Sequence, residues 1–106
     1  MFDALEVSLE LVRSLGEPLS VVRSRDPQLF DQIRRAATSL ALNLAEGRKR
    51  IGRDRLNHFR IASGSADEVL AGLRVAEAWG DLDLACCGKS FQLLDRIAAM
   101  TWKLTH

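Results

Sequence analysis

Tyrosine is absent from this chain, proline and cysteine occur twice each, and no stretch reaches the ~18 consecutive apolar residues that a membrane-spanning helix needs. Each shortage excludes something. Cys86 and Cys87 are adjacent, which makes neither a disulfide framework nor the spacing of a zinc or redox site. A reducing cytoplasm is the expected setting. Pro18 and Pro27 lie close together, so the rest of the chain is open to long helices. The opening segment MFDALEVSLELV carries three acids and no basic residue, unlike a secretory signal. A formal charge of +1, from 15 basic and 14 acidic side chains, removes whole-chain electrostatics as an argument for a polyanionic or membrane partner.

What is present suits a globular domain: 106 residues, 47% hydrophobic and 27% charged. A chain of this length buries about 65% of its unfolded surface and needs no staple. Residues 1–106 read as a single all-α domain. The first helix is expected over Asp3 to Leu15, with Phe2, Leu5, Leu9 and Val12 on one face and Gly16 and Pro18 stopping it. Glu17 to Arg25, despite Leu19, Val21 and Val22, reads as a loop. Asp26 before Pro27 starts the second helix, since aspartate accepts from free backbone N–H groups and proline at the first position loses no bond. Its stripe of Leu29, Ile33, Ala36, Ala37, Leu40 and Leu44 ends at Gly47.

A basic connector, Arg48 to Arg53, leads into a third helix of about 27 residues and 40 Å, long enough to project past its neighbours. Its apolar positions are Leu56, Phe59, Ala62, Ala66, Val69, Leu70, Leu73 and Ala76, and Gly80 ends it. Asp81 or Asp83 caps a fourth helix with one line of Phe91, Leu94 and Ala98 beside another of Leu93, Ile97, Met100 and Leu104. Four amphipathic helices with short connections predict an antiparallel up-down-up-down four-helix bundle.

Charge divides unevenly along the chain. Residues 1–33 carry −3, residues 34–60 carry +6, and residues 61–106 carry −2. The basic block comprises Arg34, Arg35, Arg48, Lys49, Arg50, Arg53, Arg55 and Arg60, expected at one end of the bundle. Such a pole could contact RNA or DNA phosphates, with no signature of base-specific readout. The competing reading is a solvated turn, or one paired with acidic helices of the same or a neighbouring subunit.

Gln32, Arg35, Ser39, Asn43 and Glu46 form a polar line beside the second helix's apolar stripe, and Ser65 and Glu68 supply polar groups on the third. An Arg35–Glu68 pair with Ser39 or Asn43 bonding across would satisfy them and fix register. Glu46 and Glu68 lack the signs of an acid/base pair, and His58 and His106 are not spaced as metal ligands; no metal, cofactor or catalytic constellation is expected. One thiol of Cys86 and Cys87 could be acidified by a helix N-terminus, though inert packing is the simpler role. The ASGSA run, Ala62 to Ala66, places Gly64 in a helix interior and predicts close approach of another backbone, within the bundle or between subunits. That run, Trp79, Trp102 and the broad face of the fourth helix favour oligomerisation.

Gln32-Ile33-Arg34-Arg35-Ala36-Ala37, Ser39, Asn43-Leu44-Ala45-Glu46-Gly47, Arg50, and then Ile61-Ala62-Ser63-Gly64-Ser65 with Glu68 make a long and specific pattern. It resembles that of the 23S rRNA-intervening-sequence proteins over nearly the whole chain. The resemblance implies a cytosolic four-helix bundle assembling as a ring-like homo-pentamer, without enzymatic activity. It also implies relatives that serve as accessory subunits of reverse transcriptases and bind nucleic acid through basic surfaces. Where the family commonly has an aromatic and a glycine after its Ala-Glu-Gly, this chain has Arg48 and Lys49. Arg55 and His58 replace apolar or aromatic residues, and the connector is about one residue shorter. These departures make the pole more basic. The resulting candidates for phosphate contact are Arg48, Lys49, Arg50, Arg53, Arg55 and Arg60; a protein-interaction scaffold or accessory subunit is the alternative function.

Overall fold

Asp26 accepts a hydrogen bond from the Leu29 N–H through its side chain at 3.1 Å, and Pro27 follows at the first helical position, so the helix start expected at Asp26–Pro27 is observed. In the computed structural model, which describes residues 3–106, five helices occur: α1 (Asp3–Ser14), α2 (Gly16–Arg25), α3 (Pro27–Gly47), α4 (Gly52–Ala78) and α5 (Gly88–Thr105). A short 3₁₀ turn, Leu84–Cys87, precedes α5, and no strand occurs among the described residues. Asp83 caps that turn by accepting from the Ala85 N–H at 3.0 Å. Gly80, at φ +82°, supplies the left-handed residue after α4.

The segment expected as a loop, Glu17 to Arg25, is helical. Leu15, Leu19 and Val22 are spaced i, i+4, i+7 and all are buried, a periodicity hidden when Leu15 is assigned to the preceding helix. Pro18 is tolerated because it stands in the first turn of α2, where a missing N–H breaks no bond. Leu15 is itself helical, and its N–H reaches the Leu11 carbonyl at 3.1 Å, so α1 passes into α2 with only a local break. The face that α1 buries also differs from expectation. Ala4, Val7, Ser8 and Leu11 point inward, Leu5 and Leu9 are half-buried and Val12 is exposed; Phe2 lies outside the described residues. Small side chains at Ala4 and Ser8 let α1 approach its neighbours, and the Ser8 hydroxyl is satisfied by the Leu5 carbonyl.

α3 and α4 share the most extensive contact. α4 also packs on α5, α5 on α1 and α1 on α3, closing a cycle, while α2 lies along α3. The pairings Ile33 with Gly72, Ser39 with Ser65 and Asn43 with His58 rise along α3 as they descend along α4, so the two helices run antiparallel. At 1.5 Å per residue the 27 residues of α4 cover about 40 Å, nearly all of the molecule's 43 Å long dimension. The core gathers Leu11, Leu40, Leu44, Phe59, Leu73 and Ile97, all fully buried.

Two glycines set the α3–α4 spacing. A Cβ at Gly72 would lie 2.5 Å from Ile33 Cγ1, and one at Gly47 would lie 2.5 Å from the Phe59 ring. Gly64, by contrast, faces open space, so the close backbone approach expected there is absent within the chain. Gly72→Ala is therefore expected to destabilise by about 1–3 kcal/mol through overpacking. Gly64→Ala is expected to gain up to about 1 kcal/mol from helix propensity. Urea denaturation followed by circular dichroism checks both signs.

Candidate nucleic-acid interface

Four residues, Arg48 to Ile51, connect α3 to α4. The Lys49 N–H bonds the Glu46 carbonyl at 3.0 Å and the Arg50 N–H the Gly47 carbonyl at 3.1 Å, a tightened last turn that carries three cations past the helix end. Ile51 is extended, Gly52 reverses the chain at φ +62°, and α4 begins. Arg53, expected at the end of the connector, thus stands with Arg55 in the first turn of α4, and Arg60 follows on its exposed face. All six cations are exposed. Ile51, an apolar side chain at the tip, is 85% exposed.

The six are not electrostatically equivalent. Arg50 donates to Asp54 at 2.8 Å and to Glu46 at 3.3 Å, and these bonds, Asp54 first, raise its pKa further above the ordinary arginine value. Its charge is locally spent. The Arg55 guanidinium lies 5.3 Å from the centroid of the Phe59 ring, a cation–π contact that fixes its stem against the core. Lys49, Arg53 and Arg60 pair with no carboxylate among the described residues. Residues 46–60 hold six basic and two acidic side chains, net +4.

Arg34 and Arg35 do not join this end. They stand on α3 roughly 20 Å along the axis from Gly47. Nor does Arg35 reach Glu68: it pairs with Asp31 one turn away on the solvent face, where an i,i+4 partner costs less ordering than a cross-helix one. Gln32 and Glu68 occupy the exposed rim of a groove shared with Ile33, Gly72 and Val75.

The remaining polar residues do meet. Ser65 Oγ donates to Ser39 Oγ at 2.9 Å, and the Asn43 amide nitrogen donates to the Ser39 carbonyl at 2.9 Å. That amide orientation turns Asn43 Oδ1 toward His58, whose Nδ1–H donates at 3.0 Å. His58 Nε2 in turn stands 3.8 Å from Asp54 Oδ1. A polar line Ser65–Ser39–Asn43–His58–Asp54 therefore runs along the α3–α4 seam and reaches the basic turn through Asp54, which also holds Arg50. His58 was not part of the expected network, although its i,i+4 spacing from Asp54 was readable. Every buried side-chain nitrogen and oxygen among the described residues has a hydrogen-bond partner.

Glu46 and Glu68 sit at different levels of the hairpin, roughly 14 Å apart along its axis, so they form no pair. Cys87 precedes α5, yet burial pushes its thiol up to about 11, the direction opposite to activation, and the bond with Cys86 adds to this. Cys86 is exposed and its thiol donates to the Asp83 carbonyl at 2.8 Å. No group of three or more His, Cys, Asp or Glu able to hold a metal occurs among the described residues, and no described helix is long and apolar enough to cross a membrane.

The fold and this end of it define an all-α protein whose one concentrated charge lies at a tight helix–helix turn. Its family is shown directly: the family model of the 23S rRNA-intervening sequence protein matches residues 2–103, and the chain belongs to that family. Neither the curated proteins nor the solved structures include a match.

Two outcomes test the local chemistry. Asn43→Ala, which strips Ser39 and His58 of a partner, is expected to cost about 1–3 kcal/mol, whereas Arg35→Ala on an exposed pair changes stability by less than about 0.5 kcal/mol in the same urea titration. At pH 8, well below the raised Cys87 value, a disulfide reagent is expected to modify one thiol per folded chain rapidly. Cys86→Ser removes that fast phase, and Cys87 reacts only on unfolding.

Proposed function

We propose that this protein is a non-enzymatic four-helix bundle, α1 and α2 together forming one arm, that assembles as a homo-oligomer and contacts RNA or DNA phosphates through its basic turn in the cytoplasm. The cycle of helix contacts and the antiparallel α3–α4 hairpin support the bundle. Five as the number of copies follows from the family resemblance alone. The observation that carries the nucleic-acid reading is the set of cations without carboxylate partners, Lys49, Arg53 and Arg60, gathered at one end with Arg48, Arg50 and Arg55. Arginine forks suit phosphate oxygens, and the positive end of the α4 dipole adds to the same field. Contact of this kind is backbone-directed and carries little base preference.

A second reading rests on a different feature. Leu42 and Ile61 are both exposed and stand at the same level of the α3–α4 hairpin, an apolar pair beside the polar seam. This pair supports a scaffold or accessory role in which a protein partner, or another copy of the chain, covers that face.

Electrophoretic mobility shift separates the two. Labelled single-stranded RNA and DNA are expected to shift at about 50 mM salt, with affinity falling about 20-fold by about 200 mM if three phosphates are neutralised and about 300-fold if six are. The combined Lys49→Glu, Arg53→Glu and Arg60→Glu variant, with helicity unchanged, is expected to lose the shift. Binding that survives this variant, or no binding at low salt, refutes the phosphate reading. Light scattering on the same samples measures the assembly.

A further inference from the structure

Trp102, in the last turn of α5, is 61% exposed and its ring lies parallel to that of His106, with centroids 4.4 Å apart and planes within 9°. The His106 ring is held in turn: its Nδ1 is 3.0 Å from the Trp102 carbonyl and 3.1 Å from Thr105 Oγ1. Two flat rings are thus fixed together as a slab facing water, where a tryptophan with no partner forfeits the burial that its size would otherwise bring.

The position of this slab follows from helix register. Ala66, Asp67 and Leu70 of α4 and Phe91, Leu94, Asp95 and Ala98 of α5 line one shared groove. On α5, Trp102 continues the Phe91, Asp95, Ala98 line by one more turn. On α4, Arg60 lies two turns before Asp67 on the same face; the short connection between α4 and α5, which pack on each other, returns α5 antiparallel, and helix register then brings Arg60 and Trp102 to the same level of that groove. Arg53 lies two turns further toward the basic turn, and Lys103 follows Trp102. At this end α5 also meets the start of α1, where Asp3 and Ala4 share a cavity with Met100 and Leu104. The groove becomes acidic away from this end, at Asp67 and Asp95. A polyanion would be held beside Trp102 and repelled from the middle of the molecule.

We infer that Trp102, backed by His106 and flanked by Arg60 and Arg53, is a stacking platform for an unpaired base of a single-stranded nucleic acid. The inference rests on the phosphate-binding reading above and narrows its ligand to single strands. Bases within a duplex are already stacked and offer a platform no free face, whereas a single strand can lay a base on an aromatic ring while its phosphates meet nearby cations. Trp79 supplies the internal comparison. It is 75% exposed but caps the other end of α4, next along the chain to Glu77, Asp81 and Asp83, carboxylates that would repel a phosphate chain.

The test uses the full chain with fluorescein-labelled oligothymidylate of about 16 nucleotides, a matched duplex of equal length, and anisotropy titrations at several salt concentrations. Trp102→Ala is expected to weaken single-strand binding on the order of tenfold while leaving the salt dependence unchanged, because it removes stacking and no ion contact. Trp102→Phe is expected to retain most of the affinity, Trp79→Ala to change nothing, and duplex binding to be indifferent to Trp102. In a Trp79→Phe background, emission of the remaining tryptophan is expected to be quenched on adding the oligonucleotide. Unchanged affinity in Trp102→Ala, or absent quenching, overturns the platform. So does a change in assembly mass accompanying the loss, which would assign Trp102 to a contact between copies. Wild-type protein that binds no oligonucleotide defeats the phosphate reading itself. Binding lost in the Lys49→Glu, Arg53→Glu, Arg60→Glu variant but kept in Trp102→Ala defeats only the platform.

Discussion

The close approach of α3 to α4 is the constraint from which the rest of this structure follows. Ile33 packs where a Gly72 side chain would stand, and the Phe59 ring packs where a Gly47 side chain would stand. Each glycine gives up helix propensity worth about 1 kcal/mol relative to alanine. The large, fully buried side chains opposite, each contributing about 1.5–3 kcal/mol through burial, outweigh that loss. Because the two contacts lie at opposite ends of the hairpin, they fix both the spacing and the register of the helices. A four-residue connection can then close only one way, and it must place its side chains beyond the packed layer. The basic turn is exposed because the glycines leave it nowhere else to go.

Between those glycines the seam is polar, and its hydrogen bonds carry register information that apolar packing does not. Ser65, Ser39, Asn43 and His58 each find a partner across or along α3 and α4. A shift by one helical turn would break the Ser65–Ser39 and His58–Asn43 bonds between the helices, at a cost of kilocalories, whereas the exposed Arg35–Asp31 pair within α3 would survive any shift at little cost. The same line ends at Asp54, which binds Arg50 and stands near His58. Seam and turn are therefore mechanically joined: Arg50 is held by carboxylates of both helices, Glu46 from α3 and Asp54 from α4. It acts as a clasp, which leaves Lys49, Arg53 and Arg60 as the cations available to an outside anion.

What the sequence made readable follows from how local each signal is. Asp26–Pro27 and Gly80 were readable because capping chemistry involves only neighbouring residues. The six cations of the turn were readable because they are nearly contiguous, so any hairpin brings them together. α2 was hidden by a boundary effect, since its periodicity begins at Leu15. The Arg35–Glu68 pair was misjudged because opposite charges on adjacent helices suggest a bridge, yet nothing in the sequence says that both side chains face solvent and that Asp31 is nearer. Gly64 meets no other backbone of its own chain for a related reason: a small residue in a helix signals close approach only where that face is covered. The neighbourhood of Trp102 was beyond reach, because it depends on the register of α4 against α5, which no short motif encodes.

That last register gives the molecule its polarity. By helix register α5 returns antiparallel to α4, so its final turn, with Trp102 and Lys103, comes level with Arg60, while its beginning, with Lys89, lies toward the mixed charges at the other end. Had the chain crossed over and returned parallel, the exposed aromatic pair would have stood among Glu77 and Asp81 instead. Ring faces attract unpaired bases only weakly on their own, and cations hold phosphates without regard to base; placed at one level of one groove, each supplies what the other lacks. The antiparallel return of a single helix is what brings the two chemistries together.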